Sequence, residues 1–313
     1  MSPPPNGSCW AGPASSAPRA RPPPFTRERT IDFDRYAQLI EFHLANGADG
    51  LALPMHAGES VSLSDGERRT LVEFAIKQVD GRKPVVAHVS ETGTAIAAAL
   101  ARHAEQHGAT AIIATTPYYW TPPAGMVLEH FIQVGSAVTI PFFLYNAPDE
   151  MQGAKVNAEL CLKLIAKLPN FAGVIDLSLD WQFMIELMTD APRLRPGFQL
   201  LAGTELIVSA AAIGATGMLA PLAGVAPRLV RELYDLCRDQ KLFEARKRQE
   251  QIAALRQALK PGGVASLKAA MRAMGRDCGE PRPPVLALDA VAYQKLVGEL
   301  ESIAALRAEA REW

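Results

Sequence analysis

From residue 31 onward, short continuous apolar runs alternate with longer stretches whose apolar residues recur at helical spacing. The segment DFDRYAQLIEFHLANG carries Tyr36, Leu39, Ile40, His43 and Leu44 at three- and four-residue steps, with Gly47 placed for a C-cap, and predicts a helix. GLALP follows as a run too short for a helix and apolar on both faces, the pattern of a strand buried between two layers. The rhythm then repeats. Helices are predicted over 64–79, 92–107, 123–136, 157–167, 180–190 and 205–213, and strands at PVVAHV, TAIIATTP, IPFFLYN, FAGVI, FQLLAG and TGMLAP. Seven apolar strands separated by helices over about 200 residues imply a parallel sheet, whose most frequent form is an α/β (β/α)8 TIM barrel. After Pro227 the pattern is helical only, over 227–259, 264–275 and 289–305, with GEPRPPVLAL as a rigid connector. The expected organisation is therefore a barrel over residues 25–226 followed by a C-terminal helical subdomain over 227–313.

An eighth strand has one source, the segment before Phe25. Residues 1–24, MSPPPNGSCWAGPASSAPRARPPP, are crowded with Pro, Ser and Ala and show no periodic apolar face, which predicts a mobile tail holding at most a degraded first strand near 14–20. Pro13, Pro18, Pro22, Pro23 and Pro24 lie in or beside that stretch, and a closed barrel has no edge where a missing N–H is harmless.

Composition narrows the partners. With 313 residues, 49% hydrophobic and 21% charged, the chain is long enough for a sizeable core. Lys plus Arg (32) nearly balances Asp plus Glu (33) without a basic run, so neither nucleic acid nor an anionic membrane is an expected partner, and a small molecule is. Cys9, Cys161, Cys237 and Cys278 have no CxxC or zinc-finger spacing, and a reducing cytoplasm is the expected location. No apolar run reaches the ~18 residues of a membrane span, and no basic segment followed by an apolar one suggests export.

In a barrel of this kind chemistry gathers at the C-terminal ends of the strands. Those ends read PMHAGES, AHVSETG, TPYYW, LYNAP, GVIDLS, LLAGTE and GMLAP for strands 2 to 8. In order and spacing, HAGES, TTPYYW, FFLYNAP, GVID, LAGTE and the later SLKAAMRAMG…PRPPVLAL resemble the N-acetylneuraminate lyase and dihydrodipicolinate synthase family from about Phe25 to Ala305. The resemblance implies an aldolase-like lyase on a small carboxylic acid, a homo-oligomer (dimer or tetramer), and neither cofactor nor metal. It further implies a lysine at the end of strand 6 that forms an imine with a 2-oxo acid.

That lysine position is Ile175, in Gly173-Val174-Ile175-Asp176. An aliphatic side chain has no nucleophile, so the family's imine route is excluded there, and Lys155, Lys163, Lys167 and Lys268 lie at no predicted strand end. The family's GTTGE loop after strand 2 reads Met55, His56, Ala57, Gly58, Glu59, without the two hydroxyls that position the 2-oxo acid carboxylate and join a proton relay. A glycine usual at the end of strand 3 appears as His88. The loop after strand 5, where dihydrodipicolinate synthases place an arginine for the second substrate, reads Asp149, Glu150, Met151, Gln152, Gly153. Two relay residues are kept: Tyr145 matches the tyrosine beside the lysine, and Tyr119 the one that a neighbouring subunit lends to the site. A tyrosine hydroxyl both donates and accepts, and so passes protons either way.

The candidate catalytic residues are thus Tyr145, Tyr119 and His56, with Ala57, Gly58, Glu59, Ile175, Gly203 and Leu219 lining the substrate. Each also has a structural reading. His56 and His88 can be hydrogen-bonded framework residues, the tyrosines packing with satisfied hydroxyls, Asp176 and Glu205 helix caps, and Gly58 and Gly203 turn residues. His56, His88, Glu59 and Glu91 fall on adjacent strand ends as an alternative zinc constellation, although their spacing matches no metal motif. Two functions remain open: an enzyme using acid–base chemistry on a small oxo or hydroxy acid, and a non-catalytic pseudoenzyme that binds a small carboxylate or pairs with an active relative.

Overall fold

Eight parallel strands form one sheet in chain order. The computed structural model describes residues 18–20 and 22–313. The strands are β1 (Pro18–Ala20), β2 (Gly50–Leu53), β3 (Val85–His88), β4 (Ala111–Thr115), β5 (Phe142–Asn146), β6 (Phe171–Asp176), β7 (Gln199–Gly203) and β8 (Gly217–Leu219). Among them run α1 (Phe33–Ala45), α2 (Asp65–Val79), α3 (Thr94–Gln106), α4 (Ala124–Ser136), α5 (Pro148–Met151), α6 (Ala158–Lys167), α7 (Trp181–Leu194) and α8 (Ile207–Ala212). The chain closes with α9 (Pro227–Arg238), α10 (Leu242–Leu259), α11 (Val264–Ala273) and α12 (Ala290–Ser302). β8 returns to lie beside β1, which curls the sheet into a TIM-barrel-like form, although no ladder joins these two strands among the described residues.

All seven predicted strands are present. The strand expected at 14–20 exists at Pro18–Ala20, pairing in parallel with Gly50–Ala52. Its proline stands first, where a missing N–H costs a sheet least. Residues 1–17 and Arg21 lie outside the described residues, and the expectation of a mobile tail falls on them.

Local chemistry sets the helix starts. Ser64 and Glu67 form a reciprocal capping box at α2, and Asp32, Asn157, Asp180 and Asp289 each accept a backbone N–H at the starts of α1, α6, α7 and α12. The cap of α7 is thus Asp180 and not Asp176. One predicted helix, 227–259, is two: α9 ends at Arg238, Gln240 takes φ 57°, and the chain reverses into α10. No glycine or proline marks this break, so periodicity alone ran through it.

Alternation along each strand separates two apolar layers. On β5, Phe142 and Leu144 face the helices, whereas Phe143 and Tyr145 face inward with Ala52, Val86, Ile113, Ile175, Leu201 and Leu219. Gly173 on β6 is required by crowding: a Cβ there would stand 2.4 Å from the Gln199 carbonyl oxygen.

The C-terminal helices are tied to the sheet by buried charge. Glu59, in the left-handed turn after β2 (φ 53°), meets Lys268 of α11 at 2.7 Å and accepts the Arg282 backbone N–H at 2.8 Å. Lys268 and Arg282 also contact the Phe25 ring, 4.1 and 4.3 Å from its centroid. Arg276, fully buried, donates to the carbonyls of Val225 and Ala310, and Glu309 accepts the N–H groups of Arg228 and Leu229 at the start of α9. Among the described residues no helix is long and apolar enough to cross a membrane, and Cys161, Cys237 and Cys278 are buried free thiols.

Candidate active site

Strand register fixes the inner layer at the C-terminal end of the sheet. Tyr145 stands opposite Ile175, and Ile175 opposite Leu201. Ile175 is 2% exposed and packed in the inner apolar cluster with Phe143, Met55 and Met151. Two of the lysines that precede it are paired elsewhere, Lys155 with Asp180 and Lys163 with Glu159, each at 2.6 Å.

Above this layer a cavity of about 250 Å3 opens between the ends of β5, β6 and β7 and the side of α10. Ala147, Glu150, Leu177, Glu205 and Arg256 line it, with Asp149 at its rim. Tyr145 is buried, and its hydroxyl donates to the Glu150 carboxylate at 2.7 Å. Burial, and then Glu150 and Glu205, push the phenol pKa well above its ordinary value, so the hydroxyl keeps its proton. Arg256 reaches down from α10 to hold Glu205 at 2.5 Å. The arrangement offers a protonated phenol in contact with a carboxylate, and a guanidinium across the same cavity.

Asp176 lies beneath, fully buried. Asn146 Nδ2 donates to it at 2.5 Å, and the Ser178 hydroxyl and N–H also donate. Burial outweighs these bonds and raises its pKa to about 6 from an ordinary 3.8. The folded state therefore binds this proton more tightly than the unfolded chain. Above pH 6 the buried carboxylate costs about 3 kcal/mol, and that cost disappears as pH falls through 6 towards 4. Denaturant unfolding of wild type and Asp176→Asn should show the difference between them moving in favour of wild type by about this amount between pH 7.5 and pH 4. A pH-independent difference would mean that the carboxyl titrates normally.

The cavity brings together only part of the set expected from sequence. His56 and Ala57 are half-buried and Gly58 buried in the turn after β2, outside the cavity lining. Glu59 lies outside the cavity lining, its carboxylate engaged by Lys268 and the Arg282 backbone N–H. Gly203 and Leu219 end β7 and β8; Gly203 has an ordinary φ of −64°, so no turn demands glycine there. Glu205 caps no helix but pairs with Arg256. Tyr119 does not approach Tyr145 within the chain: it is 96% exposed, at φ 78°.

The constellation of His56, His88, Glu59 and Glu91 does not form a metal site. His88 is buried with Nε2 on the Ser90 hydroxyl at 2.7 Å, and burial, then Arg68, lowers its pKa to about 3. Glu91 contacts Arg68 and accepts from the Tyr118 hydroxyl. His88 is a neutral framework residue, its ring edge-on to Tyr145 at 6.2 Å.

Residues 19–303 match the Dihydrodipicolinate synthetase family. This chain belongs to that family. It is 35% identical over 211 residues to the 4-hydroxy-tetrahydrodipicolinate synthase of Azoarcus sp., covering 67% of this chain and 70% of that one. To the enzyme of the same name from Caldicellulosiruptor bescii it is 30% identical over 264 residues, covering 84% and 88%. The crystal structure of dihydrodipicolinate synthase from Aquifex aeolicus superposes with a TM-score of 0.86 at 27% identity, over 92% of this chain and 97% of that one.

Within the Dihydrodipicolinate synthetase family pattern, two lining residues escaped the sequence reading. Glu150 was visible only as a missing cation, and its bond to Tyr145 needs the turn of α5 to be known. Arg256 had no signal at all, because α10 reaches the mouth only after the reversal at residues 239–241.

Proposed function

We propose that this family member acts on a small 2-oxo or 2-hydroxy carboxylic acid by acid–base chemistry, without an imine. The observation that carries the reading is the Tyr145 hydroxyl held at 2.7 Å on the Glu150 carboxylate beside the Arg256 cavity. In this reading Arg256 pairs with the substrate carboxylate. Glu150 takes a proton from the carbon beside the substrate carbonyl. The C–H electron pair forms the enol C=C bond as Tyr145 gives its proton to the carbonyl oxygen, and Glu150 returns a proton to Tyr145 along their hydrogen bond. Three carboxylates, Asp149, Glu150 and Glu205, against one guanidinium disfavour a second anionic substrate beside the first.

The same reading takes residues 25–226 as a (β/α)8 barrel and 227–313 as its helical subdomain. It also takes the chain to be a homo-oligomer. Support comes from Tyr119: a tyrosine at φ 78° costs about 1–3 kcal/mol in backbone strain. Holding that ring 96% exposed, next to a half-exposed Trp120, suits delivery into a second copy's cavity. Buried free thiols suit a reducing cytoplasm.

A pseudoenzyme that only binds a carboxylate is the second reading, favoured by the close packing of Ile175 where the family's amine stands. Incubation with pyruvate and borohydride followed by intact-mass measurement is expected to leave the chain unmodified; an adduct on a pocket lysine sinks the imine-free reading. In a thermal-shift panel of small 2-oxo and 2-hydroxy acids, at least one should stabilise wild type but not Arg256→Met. Turnover of that acid separates enzyme from binder.

A further inference from the structure

We propose that Glu73, His103 and His107 bind one divalent transition-metal ion of the zinc type on the outer face of the helical layer, between α2 and α3. His103 and His107 are one helical turn apart at the end of α3, and Glu73 projects from the neighbouring α2. His103 Nε2 stands 3.0 Å and His107 Nε2 3.8 Å from Glu73 Oε1, and the three ligand atoms all lie within 4.8 Å of one another. Tetrahedral zinc with bonds of 2.0–2.1 Å places its ligand atoms about 3.3 Å apart. The two contacts to Glu73 bracket that spacing, so small side-chain adjustments bring the three ligand atoms to it.

The tautomer of His107 is set for ligation. Its Nδ1 donates to the His103 carbonyl at 2.8 Å, which leaves a lone pair on Nε2, the nitrogen that faces Glu73. In the neutral imidazole that lone pair and the Glu73 carboxylate oxygen are placed to share one cation. The Arg69 guanidinium is drawn off to Asp65 at 2.8 Å. Two imidazoles select a borderline metal over calcium or magnesium, and the exposure of Glu73 and His107, each 42%, leaves the fourth position to water. The site is remote from the cavity, because α3 runs back from the mouth and His107 lies just before β4 begins. Its effect is to clamp α2 to α3.

The test is calorimetric titration of Zn2+ into the untagged, chelator-stripped full chain, with Co2+ absorption as the geometric readout. A single equivalent is expected to bind with a Kd on the order of micromolar, and Co2+ to give the visible bands of four-coordinate geometry. His103→Ala, His107→Ala and Glu73→Gln should each weaken Zn2+ by about tenfold or more, whereas His56→Ala should leave it unchanged. Circular dichroism checks that the variants fold; should the half-buried His103→Ala misfold, the exposed His107→Ala carries the test alone. Absence of saturable binding, or binding unaffected by His107→Ala, overturns the proposal.

Discussion

Ile175→Lys is expected to yield a single borohydride-trapped pyruvate adduct where wild type yields none. β6 delivers residue 175 into the inner layer opposite Tyr145, and Gly173 keeps the strand against Phe143 and Gln199 so that the local frame does not shift. An amine placed among Phe143, Leu201 and Met151 loses hydration of its charged form, which lowers its pKa and enlarges the neutral, nucleophilic fraction near pH 7. Tyr145 stands beside it with its proton in place. Turnover should nevertheless stay low, because His56 and Ala57 replace two relay hydroxyls, and loss of a positioned acid–base group costs about 100-fold or more. Intact-mass measurement after reduction decides the matter. A folded variant without adduct would mean that the cavity has been rebuilt beyond this residue, and would favour the pseudoenzyme.

The largest stability effect is expected at Glu59 and Lys268. Their side chains are 1% and 2% exposed, so removing either leaves an uncompensated charge in the interior. Lys268→Met or Glu59→Gln should each lose about 3–5 kcal/mol, a large share of the roughly 5–15 kcal/mol available to a folded protein. The double variant should lose less than the sum, since it buries no lone charge. Denaturant midpoints of the four proteins complete the cycle. Single-variant losses below about 1 kcal/mol would place the pair in the class of solvated surface bridges.

Most of the fold was legible because burial imposes a period on the residues that face it. GLALP, FFLYN and FAGVI are apolar throughout since both faces of their strands are covered, and the helix between each pair shows one apolar stripe. The place of Ile175 near the end of β6 was equally legible, because a strand end is a local feature. What could not be read were pairings made when distant segments meet. Tyr145 was marked as a relay residue, but its bond to Glu150 depends on how α5 turns. Glu59 was placed beside substrate by its neighbours in sequence, whereas a lysine from α11 claims it. Arg256 entered the cavity through a reversal at Asp239 and Gln240 that neither glycine nor proline announces. The alternative zinc constellation sits on adjacent strand ends, yet His88 Nε2 is taken by the Ser90 hydroxyl and Glu59 by Lys268.

The tie between Glu59 and the C-terminal helices has a consequence for how the chain is made. Its backbone partner, Arg282, follows 223 residues later. At ribosomal speeds of about 5–20 residues per second, roughly 10–45 s pass between the two. Through that interval the nascent chain holds a carboxylate whose buried place cannot yet be neutralised, so closing the turn after β2 would strand a charge. The turn after β2 is thus expected to close only after Lys268 and Arg282 have left the exit tunnel. Resistance of the turn after β2 to proteases is therefore expected only once Lys268 and Arg282 are both available to it.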